Sequence, residues 1–430
     1  MKFKSILSRL MLLLATLACW LSFVFFTAFS GWWMSPVVSP NDPAAFLSWA
    51  TTTLERENAA GNSALVLIED GRIFSEFYRG AKAPVDADTV FSTASMSKWI
   101  AAHGAMQAVL EGKLDLDAPV ANYLSRWELP ANGFDPADVT VRRLLSHTAG
   151  FADGLGFGDY RLDETLPTLE EELSMPRASS GDPVRIEVSI TPGSEWRYSG
   201  GGYLLLELVI EEVTGMRFEQ YMQQRFFDPL NMQRSTYASL DTITNNAGSL
   251  TRSGEPAEIT HYASSAATAF ATSASDLSRF VLAQIPQSNA RRVLALDTVA
   301  LMREPHGRRF GADIWGLGTM LYAPTPNGDV VFGHDGGNEP AINSAARINP
   351  DTGDALIVLE TGHPSLATTV GSQWVLWQTG TPDFLDIDAV ITSMVWPAII
   401  GALIILFLLL TYWRLAARKR NSAVADKLVT

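Results

Sequence analysis

Two uncharged apolar runs, one near each end, constrain what this chain can fold into. Residues 10–30 read LMLLLATLACWLSFVFFTAFS and residues 391–413 read ITSMVWPAIIGALIILFLLLTYW, without one charged side chain in either. A helix of about 20 apolar residues is long enough to cross the roughly 30 Å hydrocarbon layer of a bilayer. Because both runs lie at chain ends with basic flanks, they predict transmembrane helices rather than buried core helices.

Basic residues flank both runs on the side nearer the chain end, at Lys2, Lys4, Arg9, Arg414, Arg418, Lys419 and Arg420. Cytoplasmic flanks of membrane helices are rich in Lys and Arg, so this pattern predicts cytoplasmic termini and an outward-facing middle. We therefore expect the chain in the cytoplasmic (inner) membrane, with its middle on the periplasmic, extracytoplasmic side. The expected division is an N-terminal transmembrane anchor over 1–31, a stalk over 32–45, one domain over 46–380, a transmembrane helix over 391–413 and a basic cytoplasmic tail over 414–430.

The first run also partly fits a cleaved signal peptide. Its apolar core exceeds the roughly 7–15 residues usual for such a peptide, and the sequence Ala28-Phe-Ser30 is a poor cleavage site, which favours a retained anchor. Cys19 is the one cysteine of the chain and lies inside this run. The residues just before it weakly resemble a lipoprotein box. Because the apolar run continues to Phe29, we interpret Cys19 as an ordinary membrane residue.

The charge of the middle segment excludes one class of partner. The chain carries −14 in total, with +3 on residues 1–30 and +4 on residues 391–430, so the segment between them carries −21. Nucleic-acid binding needs clustered Lys and Arg, so no nucleic-acid partner is expected.

Two membrane spans around such a large domain also leave no helix bundle that could form a channel. No cofactor and no metal are expected, because one cysteine and six scattered histidines give no zinc-binding spacing.

The order of predicted elements in the middle segment favours a mixed α/β (α+β) domain. It opens with a hairpin at the Asp70-Gly71 turn, and it closes with further strands. Strands are predicted over 64–69, 72–78, 315–322, 330–333, 341–348 and 355–360, and helices over 46–57, 97–110, 203–213 and 276–284. Strands at both ends of the segment predict one antiparallel sheet flanked by helices, plus a helical lobe. Residues 152–190 have little periodic pattern and predict a lid or a wall on the substrate side.

The first of three chemical motifs is Ser95-Met-Ser-Lys98, at the start of the helix predicted over 97–110. Side chains three residues apart share one helix face, so the lysine amine can reach the serine hydroxyl. A serine becomes a nucleophile when a neighbouring base takes its proton, and a lysine in a dry pocket can be that base. Ser97 is expected on the helix surface.

The second and third motifs are Tyr198-Ser-Gly200, before a glycine-rich helix start, and His334-Asp-Gly-Gly337, on a predicted strand. A tyrosine before such a helix can project its phenol into a cleft. Glycines on a strand let a substrate backbone approach closely. Taken alone, the second motif could be a packed aromatic residue at the end of a loop, and the third could be a turn.

In this order, the three motifs resemble the serine β-lactamase-like family with the penicillin-binding fold, which includes class C β-lactamases, D-alanyl-D-alanine carboxypeptidases and related esterases. Three further stretches carry the resemblance, which covers about residues 46–377: GKLDLDAPV from Gly112, LLSHTAGF from Leu144 and YLLLELVIEEVTG from Tyr203. It implies a β-lactamase/transpeptidase-like fold and a serine hydrolase that acts through a covalent acyl-enzyme on a small-molecule or peptide substrate.

The resemblance also implies roles for individual residues. Ser95 would be the acylated nucleophile, Lys98 would help to deprotonate it, and Tyr198 would shuttle protons to the leaving group and from the deacylating water. His334 would bind substrate and shape the local potential. The backbone N–H groups of Ser95 and Gly337 would form the oxyanion hole, with Gly336 in the same substrate-binding strand.

Two departures from the family pattern bear on the substrate. The second motif has Gly200 where β-lactamases usually have asparagine, and the third has His-Asp-Gly for Lys-Thr-Gly. Asp335 would add negative charge where the carboxylate of an antibiotic docks. Both departures weaken the β-lactamase interpretation and favour hydrolysis of another ester or amide, such as a cell-wall-type peptide or a small ester.

Two alternatives are weighed against this hypothesis. His147 could form a triad with Ser95, but the resemblance implies a structural residue below the site. The chain could instead be a non-catalytic sensor or cell-wall binding module with a penicillin-binding-like domain, because the second-motif asparagine is lost. Retention of Ser95, Lys98 and Tyr198 favours the enzyme. The sequence indicates neither the actual substrate nor the oligomeric state.

Overall fold

The structure is a computed structural model, which describes residues 2–156, 158–177, 184–309 and 311–429. The chain divides into two compact units. One consists of Val37–Thr379, and the other combines the two ends, Met1–Pro36 and Gly380–Thr430.

An eight-stranded sheet forms the centre of the Val37–Thr379 unit. Its strand order is β2-β1-β12-β11-β10-β9-β8-β7, and every neighbouring pair is antiparallel. Two small sheets pair β3 with β6 and β4 with β5. The strands are β1 (Asn62–Glu69), β2 (Arg72–Arg79), β3 (Val90–Ser92), β4 (Asp159–Arg161), β5 (Thr260–Tyr262), β6 (Ala271–Ser273), β7 (Gly307–Arg309), β8 (Ala312–Trp315), β9 (Met320–Pro324), β10 (Val330–Asn338), β11 (Ile342–Asn349) and β12 (Asp354–Thr361).

The helices cover both faces of this sheet and build a separate lobe. They are α1 (Lys2–Ala28), α2 (Pro43–Glu57), α3 (Ser97–Leu110), α4 (Val141–Leu145), α5 (Leu169–Ser174), α6 (Gly200–Thr214), α7 (Phe218–Met222), α8 (Asp228–Leu230), α9 (Ala274–Leu282), α10 (Leu296–Met302), α11 (Leu366–Thr379) and α12 (Ile387–Val429). Helices α2 and α11 contact the sheet and each other, while α3 and α9 contact it from the lobe. Strand β11 is buried along its whole length, because helices cover both of its faces.

The predicted architecture is confirmed. The sheet is antiparallel, and β1 from the start of the unit pairs with β12 from its end, so both ends of the segment complete one sheet. Helix α3 has the predicted bounds, Ser97–Leu110, and Gly112 follows it at φ +70°. Helix α6 ends, as predicted, at Gly215, which adopts the left-handed conformation as its C-cap.

One predicted strand, over 315–322, is wrong. The structure has two strands there, β8 and β9, joined by a turn around Gly318 at φ +68°. A Cβ on Gly318 would lie 2.2 Å from the Cβ of Ala102, so the tight turn also needs a residue without a side chain. Strand β10 runs beyond the predicted 330–333, through the whole third motif to Asn338.

In the terminal unit, the segments Ile6–Ala28 and Ile387–Arg418 are long and apolar enough to cross a membrane. Helix α12 extends past the predicted span of 391–413 at both ends. The two helices contact each other, since the Trp20 indole N–H donates to the Pro397 carbonyl at 3.2 Å. A Cβ on Gly401 would lie 2.1 Å from the Trp20 ring, so a small residue there permits the close approach.

A buried ion pair joins the sheet to the layer of α11. Arg347 on β11 is fully buried, and its guanidinium group donates twice to Asp335 on β10, once at 2.9 Å. The guanidinium carbon lies 3.6 Å from the centre of the Tyr322 ring, and its nitrogens lie beside Gly371 of α11. A charge removed from water needs its counter-ion, so this pair is expected to matter for stability.

We expect Asp335→Asn to lower the melting temperature of the full chain in detergent by roughly 5–10 °C, because a buried guanidinium without its partner costs about 3–5 kcal/mol. The double variant Asp335→Asn/Arg347→Met should melt above the single variant. Asp163→Asn, which removes an exposed partner of Arg161, is the matched control and should leave melting unchanged. Equal melting of wild type and Asp335→Asn, followed by circular dichroism, would contradict this assignment.

Candidate active site

Ser95 lies on a strained turn that leads into α3. The residue before it, Ala94, has φ +48°, a conformation that costs a non-glycine residue roughly 1 kcal/mol or more. The Ser97 hydroxyl holds this turn, because it donates to the Ala94 carbonyl at 2.6 Å and accepts from the Phe270 N–H at 2.9 Å. The prediction that Ser97 lies on the helix surface is wrong, since Ser97 is fully buried. Ser95 itself is half-buried.

The Lys98 amine lies inside the domain. The residue has no exposed surface, and its Nζ donates to the Ala267 carbonyl at 2.8 Å. The same nitrogen lies 4.9 Å from the centre of the Tyr198 ring and 5.7 Å from that of Tyr203. A carbonyl oxygen and two aromatic faces all attract a positive charge, so they fix where the amine can be. The first two motifs therefore meet at the Lys98 amine.

His147 holds the backbone on both sides of Tyr198. Its carbonyl accepts from the Arg197 N–H at 2.8 Å, and its Nδ1 accepts from the Ser199 N–H at 3.1 Å. The centres of the His147 and Tyr198 rings lie 4.6 Å apart. Burial and the positive charge of Lys98 hold the pKa of His147 well below its usual value of 6.5, so the ring is neutral. This geometry agrees with the structural role expected for His147 and not with a triad.

Asp153 anchors the loop that carries Tyr198 from the other side. The Ser199 hydroxyl donates to one carboxylate oxygen at 2.5 Å, and the Gly201 N–H donates to the other at 2.8 Å. The Ser199 hydroxyl also accepts from the Gly202 N–H, so it caps α6. Asp153 lies in the 152–190 stretch, where no motif marked it.

The third motif lies against the Ser95 turn. A Cβ on Gly336 would lie 1.8 Å from the Thr93 carbonyl oxygen, so β10 approaches the turn as closely as a backbone can. The same oxygen accepts from the Ser344 hydroxyl at 3.0 Å. Gly337 is exposed. The three motifs thus form one site, with Ser95 between α3 and β10.

His334 is buried and uncharged. Burial, with the nearby positive charges of Lys98 and Arg347, lowers the pKa of His334 from 6.5 to about 3. Its Nδ1–H donates to the Asp335 carbonyl at 2.5 Å, and its ring lies 5.4 Å from that of Trp315. Its Nε2 has no partner among the described residues. The second nitrogen of His334 is therefore a buried hydrogen-bonding group that no described residue uses.

Asp335 does not carry its charge into the site, contrary to the sequence-based argument. Side chains alternate between the two faces of a strand, so Asp335 points away from the face of His334 and Gly336. It pairs with the buried Arg347 behind the sheet. Asp335 therefore gives no argument against an anionic ligand. The differences from the β-lactamase motifs that remain are Gly200 and the uncharged His334 in place of lysine.

One edge of β10 is available beside the site. Strand β9 pairs with β10 only over Val330–Gly333, while β11 pairs with it as far as Asn338. An extended substrate could therefore add along the edge of His334–Asn338 as a further strand.

Within the described ranges, no group of three or more His, Cys, Asp or Glu side chains could hold a metal ion.

Comparisons with known proteins fit this geometry. The family model "Beta-lactamase" matches residues 50–376. Penicillin-binding protein 4 of Amycolatopsis lactamdurans is 27% identical over 335 residues, which cover 72% of this chain and 83% of the relative. Esterase EstB of Burkholderia gladioli is 29% identical over 236 residues, 46% of this chain and 55% of that protein.

A likeness to solved structures supports the fold. The octameric penicillin-binding protein homologue from Pyrococcus abyssi aligns with a TM-score of 0.62 at 23% identity, over 79% of this chain and 78% of that one. The family model covers about three quarters of the sequence. The chain therefore belongs to the beta-lactamase family of serine hydrolases, whose members act on amides and esters.

Proposed function

We propose that this chain is a membrane-anchored hydrolase that cleaves an ester or amide outside the cytoplasmic membrane, with Ser95 as nucleophile. The observation that carries the proposal is the buried Lys98 amine, 4.9 Å from the Tyr198 ring and on the same helical turn as Ser95. An amine held at one point in a dry pocket can accept or relay the serine proton.

In the first step, the Ser95 oxygen attacks the substrate carbonyl carbon while its proton passes to Lys98. The carbonyl oxygen becomes an oxyanion, which accepts hydrogen bonds from the backbone N–H groups of Ser95 and Gly337. The carbonyl–leaving-group bond then breaks, Tyr198 delivers a proton to the departing amine or alcohol, and Lys98 returns the serine proton to Tyr198. The product of this half-reaction is an ester between Ser95 and the acyl group.

In the second step, water attacks the Ser95 ester. Tyr198 and Lys98 take the water proton and return it to the Ser95 oxygen, which releases the acid. His147 and Asp153 act as positioning residues, because they hold the loop of Tyr198 without facing the reacting atoms. The open edge of β10 and the Nε2 of His334 bind the acyl portion.

The relatives of this chain point to the substrate class. They include a penicillin-binding protein and an esterase, and a protein of similar fold from Pseudomonas syringae is a beta-lactamase/D-alanine carboxypeptidase. We propose a peptide of the cell-wall type or a small ester as substrate. A β-lactam fits less well, because Gly200 has no side-chain amide to hold its acylamino group.

A fluorescent fluorophosphonate should label the wild-type chain, and Ser95→Ala should abolish both labelling and p-nitrophenyl acetate hydrolysis by at least about 10³-fold. Ser48→Ala, which changes an exposed serine of α2, is the control and should be labelled like wild type. Absence of label and of ester turnover in the wild type would instead support the non-catalytic binding module.

The pH dependence of kcat/KM tests the charge state of His334. Because the pKa of His334 is about 3, the ring stays neutral from pH 5 to 9 and does not titrate in the profile. We expect His334→Gln to lower kcat/KM by about tenfold, roughly one lost hydrogen bond, without changing the shape of the profile. A shifted acid limb, measured with p-nitrophenyl acetate, would show that His334 does titrate.

The single cysteine allows a clean test of orientation. In a Cys19→Ser background, Ser48→Cys places a thiol in the domain and Ser422→Cys places one in the C-terminal tail. A membrane-impermeant maleimide should label position 48 in intact spheroplasts and position 422 only after permeabilisation. Labelling of position 422 in intact spheroplasts would contradict the proposed orientation.

A further inference from the structure

A cavity of about 560 Å³ lies in the Val37–Thr379 unit and contains none of Ser95, Lys98 and Tyr198 in its lining. Its walls come from the segments 166–170, 237–240, 258–263 and 339–342, with residues of α6. These segments include part of the stretch predicted to form a wall on the substrate side.

The cavity shares a wall with the active site. A five-residue π turn, Ser265–Ala269, contributes Ser265 and Ala269 to the cavity lining. On its other side, the Ala267 carbonyl of this turn accepts the hydrogen bond from Lys98. Ser92, three residues before Ser95, and Glu339, two residues after Gly337, also line the cavity. The cavity therefore lies beside the Ser95 turn and the end of β10.

The described lining is strongly acidic, with six glutamates, two arginines and no lysine. The arginines are already paired. Arg126 contacts Glu170 and Glu211, and Arg217 contacts Glu219. The cavity thus has a negative excess that its own cations do not balance, which attracts a cation.

Glu207 is part of this excess and forms no ion pair within the described structure, although Arg217 of the same lining lies close enough to interact with it electrostatically. It is 2% exposed, and one carboxylate oxygen accepts from the Ser264 hydroxyl at 3.1 Å and from the Ala266 N–H at 2.9 Å. Its other oxygen, Oε1, has no hydrogen bond to a described residue. Burial raises the pKa of Glu207 well above its usual value, and the carboxylates of Glu219 and Glu211 raise it further. A cation bound beside Glu207 would lower this pKa again, because it favours the ionised carboxylate.

Three more buried polar atoms of the lining have no partner within the described ranges: the hydroxyls of Tyr237 and Ser249 and the Nε2 of His261. Ser249 is 7% exposed. A buried polar group without a partner costs roughly 1–3 kcal/mol, which a ligand with hydrogen-bonding groups would recover. Carboxylate and hydroxyl groups on one cavity wall fit an ammonium group, which offers three N–H donors and a positive charge.

We propose that the cavity binds an ammonium group carried by the acyl portion of the substrate, with Glu207 as its counter-ion. The proposal rests on the proposed function for the bond that is cleaved, but binding in the cavity can be measured without any cleavage. It names the substrate class as cationic esters or amides.

The binding test uses the full chain in detergent and two probes of equal size, n-butylammonium chloride and n-butanol, in calorimetric titrations corrected for the micelles. We expect butylammonium to bind at least tenfold more tightly than butanol, and Glu207→Gln to lose that difference while keeping the wild-type melting temperature. Glu304→Gln, which changes an exposed glutamate outside the cavity, is the charge control. Equal binding of the two probes to wild type would overturn the proposal.

The kinetic test compares p-nitrophenyl 6-aminohexanoate with p-nitrophenyl hexanoate. Wild type should prefer the amino ester by about tenfold in kcat/KM, and Glu207→Gln should bring this ratio of the two esters close to one. Ala238→Trp, at an exposed position of the lining, should block the cavity and give the same loss if Glu207→Gln fails to fold. An unchanged preference in both variants would overturn the proposal.

The two proposals fail in different ways. If neither ester is cleaved and Ser95 is not labelled, but butylammonium binding still depends on Glu207, the hydrolase proposal fails and the cavity proposal stands. If p-nitrophenyl hexanoate is cleaved through Ser95 and butylammonium does not bind, the cavity proposal fails alone.

Discussion

The burial of the Lys98 amine is the interaction on which the site depends. A buried amine without partners is costly, and here its hydrogen bond to the Ala267 carbonyl and its contacts with the rings of Tyr198 and Tyr203 offset that cost. Tyr198 is in turn held by other elements, because the neighbouring Ser199 donates hydrogen bonds to His147 and to Asp153. The amine thus requires the lobe, the loop and the helix to be in place together, which explains why motifs far apart in sequence meet at one point.

Local patterns were enough to predict much of this structure. Helix α3 has the predicted bounds because Gly112 ends it, and strands at both ends of the segment indicated a sheet closed by β1 and β12. Ser95, Lys98 and Tyr198 were found by spacing and by resemblance. The structure places Lys98 beside Tyr198 and on the turn after Ser95, while the chemical roles of the three residues stay predictions.

The errors concern side-chain direction and long-range contacts. Ser97 was expected at the surface, but its hydroxyl is needed inside to bond Phe270, far along the chain. Asp335 was expected to face the ligand, yet the pairing of β10 with β11 turns it towards Arg347. Asp153 could not be found from the sequence, because Ser199 and Gly201, its hydrogen-bond partners, are far from it along the chain and no motif links them to it.

The π turn Ser265–Ala269 contacts two functional groups at once, since Ala267 bonds Lys98 and Ala266 bonds Glu207. A substitution that reshapes the cavity by moving this turn would also move the amine. Selectivity and turnover are therefore mechanically linked in this protein. Laboratory evolution towards a new acyl group should therefore meet epistasis at this turn. Variants that gain a new substrate preference should turn over more slowly until a second substitution restores the position of Lys98.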